Sequence, residues 1–120
     1  MRIGLIAPPF INVPPNVYGG TELFIARLAE GLSKLGMTVV VYCTGESTVA
    51  VEKRWIYQRS EWPLSGTTNC SRKELEHTTW AVRDAAETCD LIHVNNVPGV
   101  ACAGFVKVPF VHTIHHPPGG

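Results

Sequence analysis

The stretch "LFIARLAEGLSKLGMTVVVYC", Leu23 to Cys43, changes its hydrophobic period halfway along. Its first half places Ile25, Leu28, Ala29, Leu32 and Leu35 at the i, i+3, i+4, i+7 spacing of an amphipathic helix. Arg27, Glu30, Ser33 and Lys34 fall mainly toward the other face, and Gly36 is a natural stop. Its second half, "MTVVVYC", is a β-branched run of the kind that forms a buried strand. Upstream, Arg2 to Ala7 is a continuous apolar run, as expected of a strand covered on both faces. Strand, helix and strand within the first 43 residues make a βαβ unit, which requires the two strands to be parallel.

The pattern continues outward from that unit. Gly45 to Val51 is polar and loop-like, and "KRWIYQ", Lys53 to Gln58, reads as a short strand. "SEWPLSGTTNC", Ser60 to Cys70, reads as a long irregular connection because Pro63 and Gly66 oppose regular structure. Ser71 with Glu74 three residues later has the form of a capping box. The helix it would start carries Leu75, Thr78, Thr79, Val82, Ala85, Ala86 and Cys89 along one stripe. "DLIHVN", Asp90 to Asn95, is a further strand, and "NVPGVACAGF" after it has room for one or two helical turns. "VPFVHTI", Val108 to Ile114, is the last strand. Strands alternating with helices predict the α/β class, with a Rossmann-like doubly wound parallel sheet. Ligands of such sheets gather outside the carboxyl ends of the strands. That rule selects Pro8–Thr21, Thr44–Val49, Asn95–Gly99 and His115–Gly120.

Composition bounds the function. A chain of 120 residues supports one compact domain with a modest core. Ten basic residues balance ten acidic ones, so no electrostatic footprint for nucleic acid or an anionic membrane is present. The apolar run at the N-terminus is too short to span a bilayer and no small-residue cleavage site follows it, which predicts a cytoplasmic protein. Cys43, Cys70, Cys89 and Cys102 are irregularly spaced and form no C-x-x-C pair, so reduced thiols are expected.

The loop "VPPNVYGGTE", Val13 to Glu22, stands at the carboxyl end of the first strand. Pro14 and Pro15 stiffen it by fixing φ, whereas Gly19 and Gly20 leave its backbone bare. The glycines serve either a tight strand-to-helix turn or the close approach of a ligand. Thr21 is the expected N-cap, and the free N–H groups of the following turn favour an anion such as a phosphate. Glu22 would repel that anion unless its carboxylate turns away. Neither G-x-G-x-x-G nor the P-loop pattern occurs here.

"MRIGLIAPPF…VPPNVYGGTE…ARLAEGLSKLGMTVVVYCTGES", followed by "CDLIHVNN" and "VPFVHTIHH", resembles the N-terminal domain of family 4 glycosyltransferases. The resemblance covers essentially the whole chain. It implies one half of a retaining, nucleotide-sugar-dependent enzyme of the two-domain GT-B architecture, with no metal cofactor. It places Gly19, Gly20 and Thr21 near the donor diphosphate and sugar. It makes His115, which closes the "T-x-H" strand, the catalytic candidate that approaches the transferring sugar. Tyr18, Asn95 and His116 fall on the acceptor side. Asn95 stands where the family commonly has a second histidine, a departure that bears on its role. Implied partners are the nucleotide-sugar donor, an acceptor that is a small molecule, glycan or lipid, and a C-terminal domain in cis or as a separate subunit. The family's nucleotide-binding domain and its Glu-x7-Glu motif would follow Gly120, so the chain reads as residues 1–120 of a longer or split enzyme. Apolar surface left by missing neighbours would favour self-association. The implied chemistry is front-face displacement with retention, in which the departing diphosphate helps to deprotonate the acceptor hydroxyl.

Other constellations carry less. His112 and His115 alternate to opposite faces along a strand, and no carboxylate stands nearby, so no metal site is expected. His112 is expected between sheet and helix, His93 as a partly buried strand residue, and His77 on the solvent side of its helix. Trp55, Trp62 and Trp80 could stack on sugars, although Trp80 has the spacing of a packing residue. Two rival classes are a non-catalytic binding module derived from such a domain and a nucleotide-dependent oxidoreductase. The second needs an acidic residue closing the second strand, a place that Glu46 approaches.

Overall fold

A computed structural model describes residues 1–16, 19–60, 67–102, 104 and 106–113, with backbone alone at 67–69, 97 and 100. Among them the elements are β1 (Arg2–Ile6), α1 (Gly20–Lys34), β2 (Thr38–Tyr42), β3 (Glu52–Arg54), α2 (Thr67–Thr88), β4 (Leu91–Val94), α3 (Val97–Cys102) and β5 (Phe110–His112). The five strands form one parallel sheet in the order β3-β2-β1-β4-β5. β1 pairs with β2 from Arg2↔Thr38 to Ile6↔Tyr42, and with β4 from Ile3↔Leu91 to Ile6↔Val94. The chain moves from β1 toward β2 and β3, then crosses back to β4 and β5. Strand order therefore reverses between β1 and β4, and a crevice opens there at the carboxyl ends. This is the Rossmann-like topology expected from the sequence.

Alternation along the strands divides the core in two. Ile3, Leu5, Ala7, Val39, Val41 and Cys43 face α1, which contributes Ile25 and Ala29. Ile6, Val40, Tyr42, Ile92 and Val94 face α2, which contributes Ala81, Val82 and Ala85, with Cys89 directly after its end. Burying each of these aliphatic side chains contributes roughly 1.5–3 kcal/mol relative to exposure. Gly4 lets α2 lie close, since a Cβ there would stand 3.1 Å from Cys89 Sγ and 3.2 Å from the Ala85 methyl. At the other end of α1, Gly36 takes φ 89°. Its N–H meets the Ser33 carbonyl and that of Met37 the Leu32 carbonyl, the paired bonds of a Schellman stop.

Four expectations need correction. α2 starts at Thr67, so Thr67–Cys70 are helical and Ser71 lies inside the helix, exposed, instead of capping it. His77 is fully buried, not solvent-facing, because the buried stripe of α2 runs through His77, Thr78, Ala81, Val82 and Ala85 while Leu75 is 53% exposed. His112 is exposed on the edge strand β5, paired with Val94 of β4, so it does not pack between sheet and helix. The "KRWIYQ" strand is shorter than read. β3 ends at Arg54, and Tyr57 and Gln58 then accept from the N–H groups of Gly45 and Glu46. All four cysteines are free.

Candidate functional site

The crevice is built on carbonyl oxygens left at the end of β1. Ile6 O accepts from both the backbone N–H and the side-chain amide of Asn95, at 3.2 and 3.1 Å. Ala7 O accepts from His77 Nε2 at 2.7 Å. Burial and the neighbouring Lys73 charge hold the His77 imidazole down, to a pKa of about 4, so the ring is neutral.

The loop after β1 is braced from the loop after β2. The Val13 N–H donates to Ser47 Oγ at 2.9 Å, Ser47 Oγ and Thr44 Oγ1 are 2.8 Å apart, and Thr44 Oγ1 donates to Asn12 Oδ1 at 2.5 Å. The Thr48 N–H returns a bond to the Val13 carbonyl at 3.0 Å. Behind this ladder the Lys53 ammonium donates to the carbonyls of Gly45 and Ser47 at 2.7 and 2.5 Å. Hydropathy marks none of Thr44, Ser47 or Lys53. The rule about strand carboxyl ends did select Thr44–Val49, and it is the signal that could have found the first two.

The two glycines differ. Gly19 has φ 146° and is the N-cap of α1, with the first helical bond running from the Leu23 N–H to its carbonyl at 3.0 Å. A Cβ at Gly19 would lie 2.9 Å from Glu22 Oε1 and 3.0 Å from Ile11 Cγ2, so both backbone and space require glycine. At Gly20 a Cβ would meet no atom of the described residues within 4 Å. Thr21 is therefore not the N-cap: Gly19 takes the non-helical dihedrals without a side-chain cap bond of its own, and Thr21 sits in the first turn. Glu22 does not turn away either. Its carboxyl is buried over the start of α1 and bonded to its own N–H, and desolvation raises its pKa. That group already occupies part of the helix N-terminus, so the open approach is from the Gly20 side.

Beyond Gly20 an open depression is lined by Gly20, Leu23, Phe24, Arg27 and Leu28. The Phe24 ring lies 6.3 Å from that of His93 on β4. His93 Nε2 is 2.6 Å from Thr113 Oγ1, just past β5, and Asn95 Nδ2 is 3.4 Å from His93 Nδ1. The structure thus links the neighbourhood of Gly19, Gly20 and Thr21 with that of Asn95 through Phe24 and His93. Tyr18, His115, His116 and Trp62 lie outside the described residues.

The remaining candidates resolve differently. Trp80 packs edge-on against Tyr42 at 5.5 Å between ring centres. Trp55 is exposed beneath the Lys53 ammonium, 5.2 Å from its ring. Glu46 accepts from the N–H and Oγ of Ser60 at 3.2 and 3.4 Å, contacts that hold its carboxyl below the usual range. The carboxylate that an oxidoreductase would turn to a ribose is thus engaged by the chain itself. Among the described residues no group of three or more His, Cys, Asp or Glu side chains could hold a metal ion. No helix among them is long and apolar enough to cross a membrane.

A sequence profile of the family described as Glycosyltransferase Family 4 matches residues 18–119. Among solved structures, the fold is similar to that of AviGT4, a glycosyltransferase involved in avilamycin A biosynthesis, with a TM-score of 0.63 and 21% identity. That likeness covers 96% of this chain and 32% of AviGT4, so the chain spans about a third of that protein's length. No similar sequence was found among curated proteins.

Proposed function

The chain belongs to glycosyltransferase family 4, and from that premise we propose that it is the N-terminal, acceptor-side domain of a retaining glycosyltransferase. The enzyme would move a sugar from a nucleotide-sugar donor to an acceptor hydroxyl. The observation that carries this reading is the arrangement at the head of α1. A strained glycine, Gly19, sets the start of the helix, and an unhindered one, Gly20, leaves room beside the crevice. A ligand atom can come within contact distance of the backbone at Gly20 without meeting a side chain of the described residues.

In this reading Gly19, Gly20 and Thr21 lie against the donor's diphosphate and sugar. His115 contacts the transferring sugar, and Tyr18, Asn95 and His116 belong to the acceptor side. The domain works with a C-terminal nucleotide-sugar domain, in cis or as a separate subunit. The departing diphosphate assists deprotonation of the acceptor hydroxyl, so the chain supplies mainly positioning and charge stabilisation. The full-length protein should release UDP or GDP from UDP-glucose or GDP-mannose in the presence of an acceptor extract, with the anomeric configuration retained. His115→Ala should lower kcat with little loss of fold. Absence of turnover across a nucleotide-sugar panel would leave a binding module in its place.

A further inference from the structure

The outer face of α1 carries two adjacent large apolar side chains, Leu23 and Phe24, each 39% exposed. With Leu28 and Arg27 they line the open depression of about 390 Å³ that begins at Gly20. Its size falls in the range of small-molecule sites, which are lined mainly by apolar groups with a few placed polar ones. Arg27 is the one charged group among the described residues that line it, and it makes no ion pair or hydrogen bond among the described residues. Glu30, one turn further on, does not neutralise it. That carboxylate lines a separate depression with Ala26 and Val51 and lies 3.5 Å from the Lys34 ammonium. Gly20 and Arg27 stand seven residues apart on one face of α1, about 10 Å along its axis. From the crevice outward the depression therefore presents bare backbone, then an apolar wall, then a guanidinium.

We propose that this depression is an acceptor subsite, and that it takes an apolar, ring-containing acceptor with an anionic group about 10 Å from the reacting hydroxyl. The inference rests on the glycosyltransferase reading and narrows it. The hydroxyl end stands at Gly20, where the sugar arrives in that reading. The ring system lies against Leu23 and Phe24 and removes their apolar surface from water. The anion meets Arg27, whose planar guanidinium matches a carboxylate or phosphate. A neutral glycan fits less well, because it offers nothing to the guanidinium and little apolar surface to Leu23 and Phe24.

The full-length protein tests it, with 6-hydroxy-2-naphthoate as the probe and 2-naphthol as its uncharged counterpart, both followed by their own fluorescence. At low salt the naphthoate should bind more tightly than the naphthol by about two- to fivefold, the worth of an exposed ion pair. Added salt should erase that difference. Arg27→Gln should weaken the naphthoate to the level of the naphthol and leave the naphthol unchanged. Phe24→Ser should weaken both by about three- to tenfold. Equal binding of the two probes at low salt, or naphthoate binding that neither variant alters, overturns the proposal. So does concentration-dependent self-association that Phe24→Ser abolishes, because a second copy of the chain then covers this face. Turnover of UDP-glucose or GDP-mannose with no probe bound overturns this inference alone. Naphthoate binding that depends on Arg27, without turnover of any nucleotide sugar, overturns the glycosyltransferase reading and leaves the site as one for an apolar anion.

Discussion

The Nε2–H of His77 donates to the carbonyl oxygen of Ala7 at 2.7 Å, joining the middle of α2 to the end of β1. The ring is fully buried, and its Nδ1 has no partner among the described residues. Protonation would place a charge in a site shut off from water. Desolvation is the main cause that lowers the pKa from 6.5 to about 4. Above pH 6.5 both folded and unfolded chains hold a neutral ring, and stability is fully present. As pH falls from 6.5 toward 4 the unfolded chain takes up a proton that the folded chain refuses, so stability falls. The total loss by pH 4 is roughly 3 kcal/mol. Urea unfolding between pH 7 and 4.5 should show this loss in the unaltered chain and a shallower one in His77→Gln. Parallel curves would contradict it.

The glycines of the β1–α1 loop should separate function from fold. Gly20→Ala adds a methyl that meets no atom of the described residues, at the first residue of a helix, so stability should stay within about 1 kcal/mol or rise slightly. In the full-length protein the same change should lower kcat/KM for sugar transfer. Gly36→Ala, at φ 89° and remote from the strand carboxyl ends, should cost about 1 kcal/mol of stability and leave transfer alone. Equal transfer by Gly20→Ala and the parent would reduce the loop to an ordinary turn.

Gly4 and Cys89 form a pair that a double-mutant cycle can read. Gly4→Ala should destabilise by about 1–3 kcal/mol, since its methyl crowds Cys89 Sγ, the Ala85 methyl and the Tyr42 ring. Cys89→Ala vacates the sulfur's volume, so Gly4→Ala should cost less in that background. Strictly additive unfolding energies would show that the helix simply moves away.

Lys53→Met keeps the length of the side chain and removes two charge-assisted bonds, to Gly45 and Ser47. A loss of about 1.5–3 kcal/mol is expected. Amide exchange should quicken first at Val13 and Thr48, whose N–H groups belong to the ladder that Lys53 backs. Exchange that quickens uniformly across the sheet would place the effect elsewhere.

The sheet and α1 could be read from the chain because their apolar residues repeat with one period and one burial demand. Ile3, Leu5, Val39, Val41 and Ile92 are buried on a sheet covered on both sides. α2 was harder. Its buried stripe includes His77 and Thr78, whose burial is favoured by partners distant in sequence: Ala7 O for His77, and the Asn96 amide for Thr78. Hydropathy cannot anticipate a carbonyl seventy residues away. Ser71 and Glu74 have the spacing of a cap, but spacing alone does not say whether the helix has already begun. At the site, position at a strand carboxyl end was readable for Gly19, Gly20 and Asn95. The bond from the Asn95 side-chain amide to the Ile6 carbonyl was not, because it joins residues 89 positions apart.

The ladder from Val13 through Ser47 and Thr44 to Asn12 has a thermodynamic consequence for any ligand of the crevice. Fixing the backbone of a residue costs about 1–2 kcal/mol, and for Asn12 and Val13 that cost is met when the chain folds. A ligand arriving beside Gly20 finds this part of the loop already in place. Its binding entropy should not carry a penalty for ordering that segment, and its association should not wait for the segment to close. Breaking the ladder at Ser47 would transfer the cost from folding to binding, and calorimetry would register it as a less favourable entropy at nearly constant enthalpy.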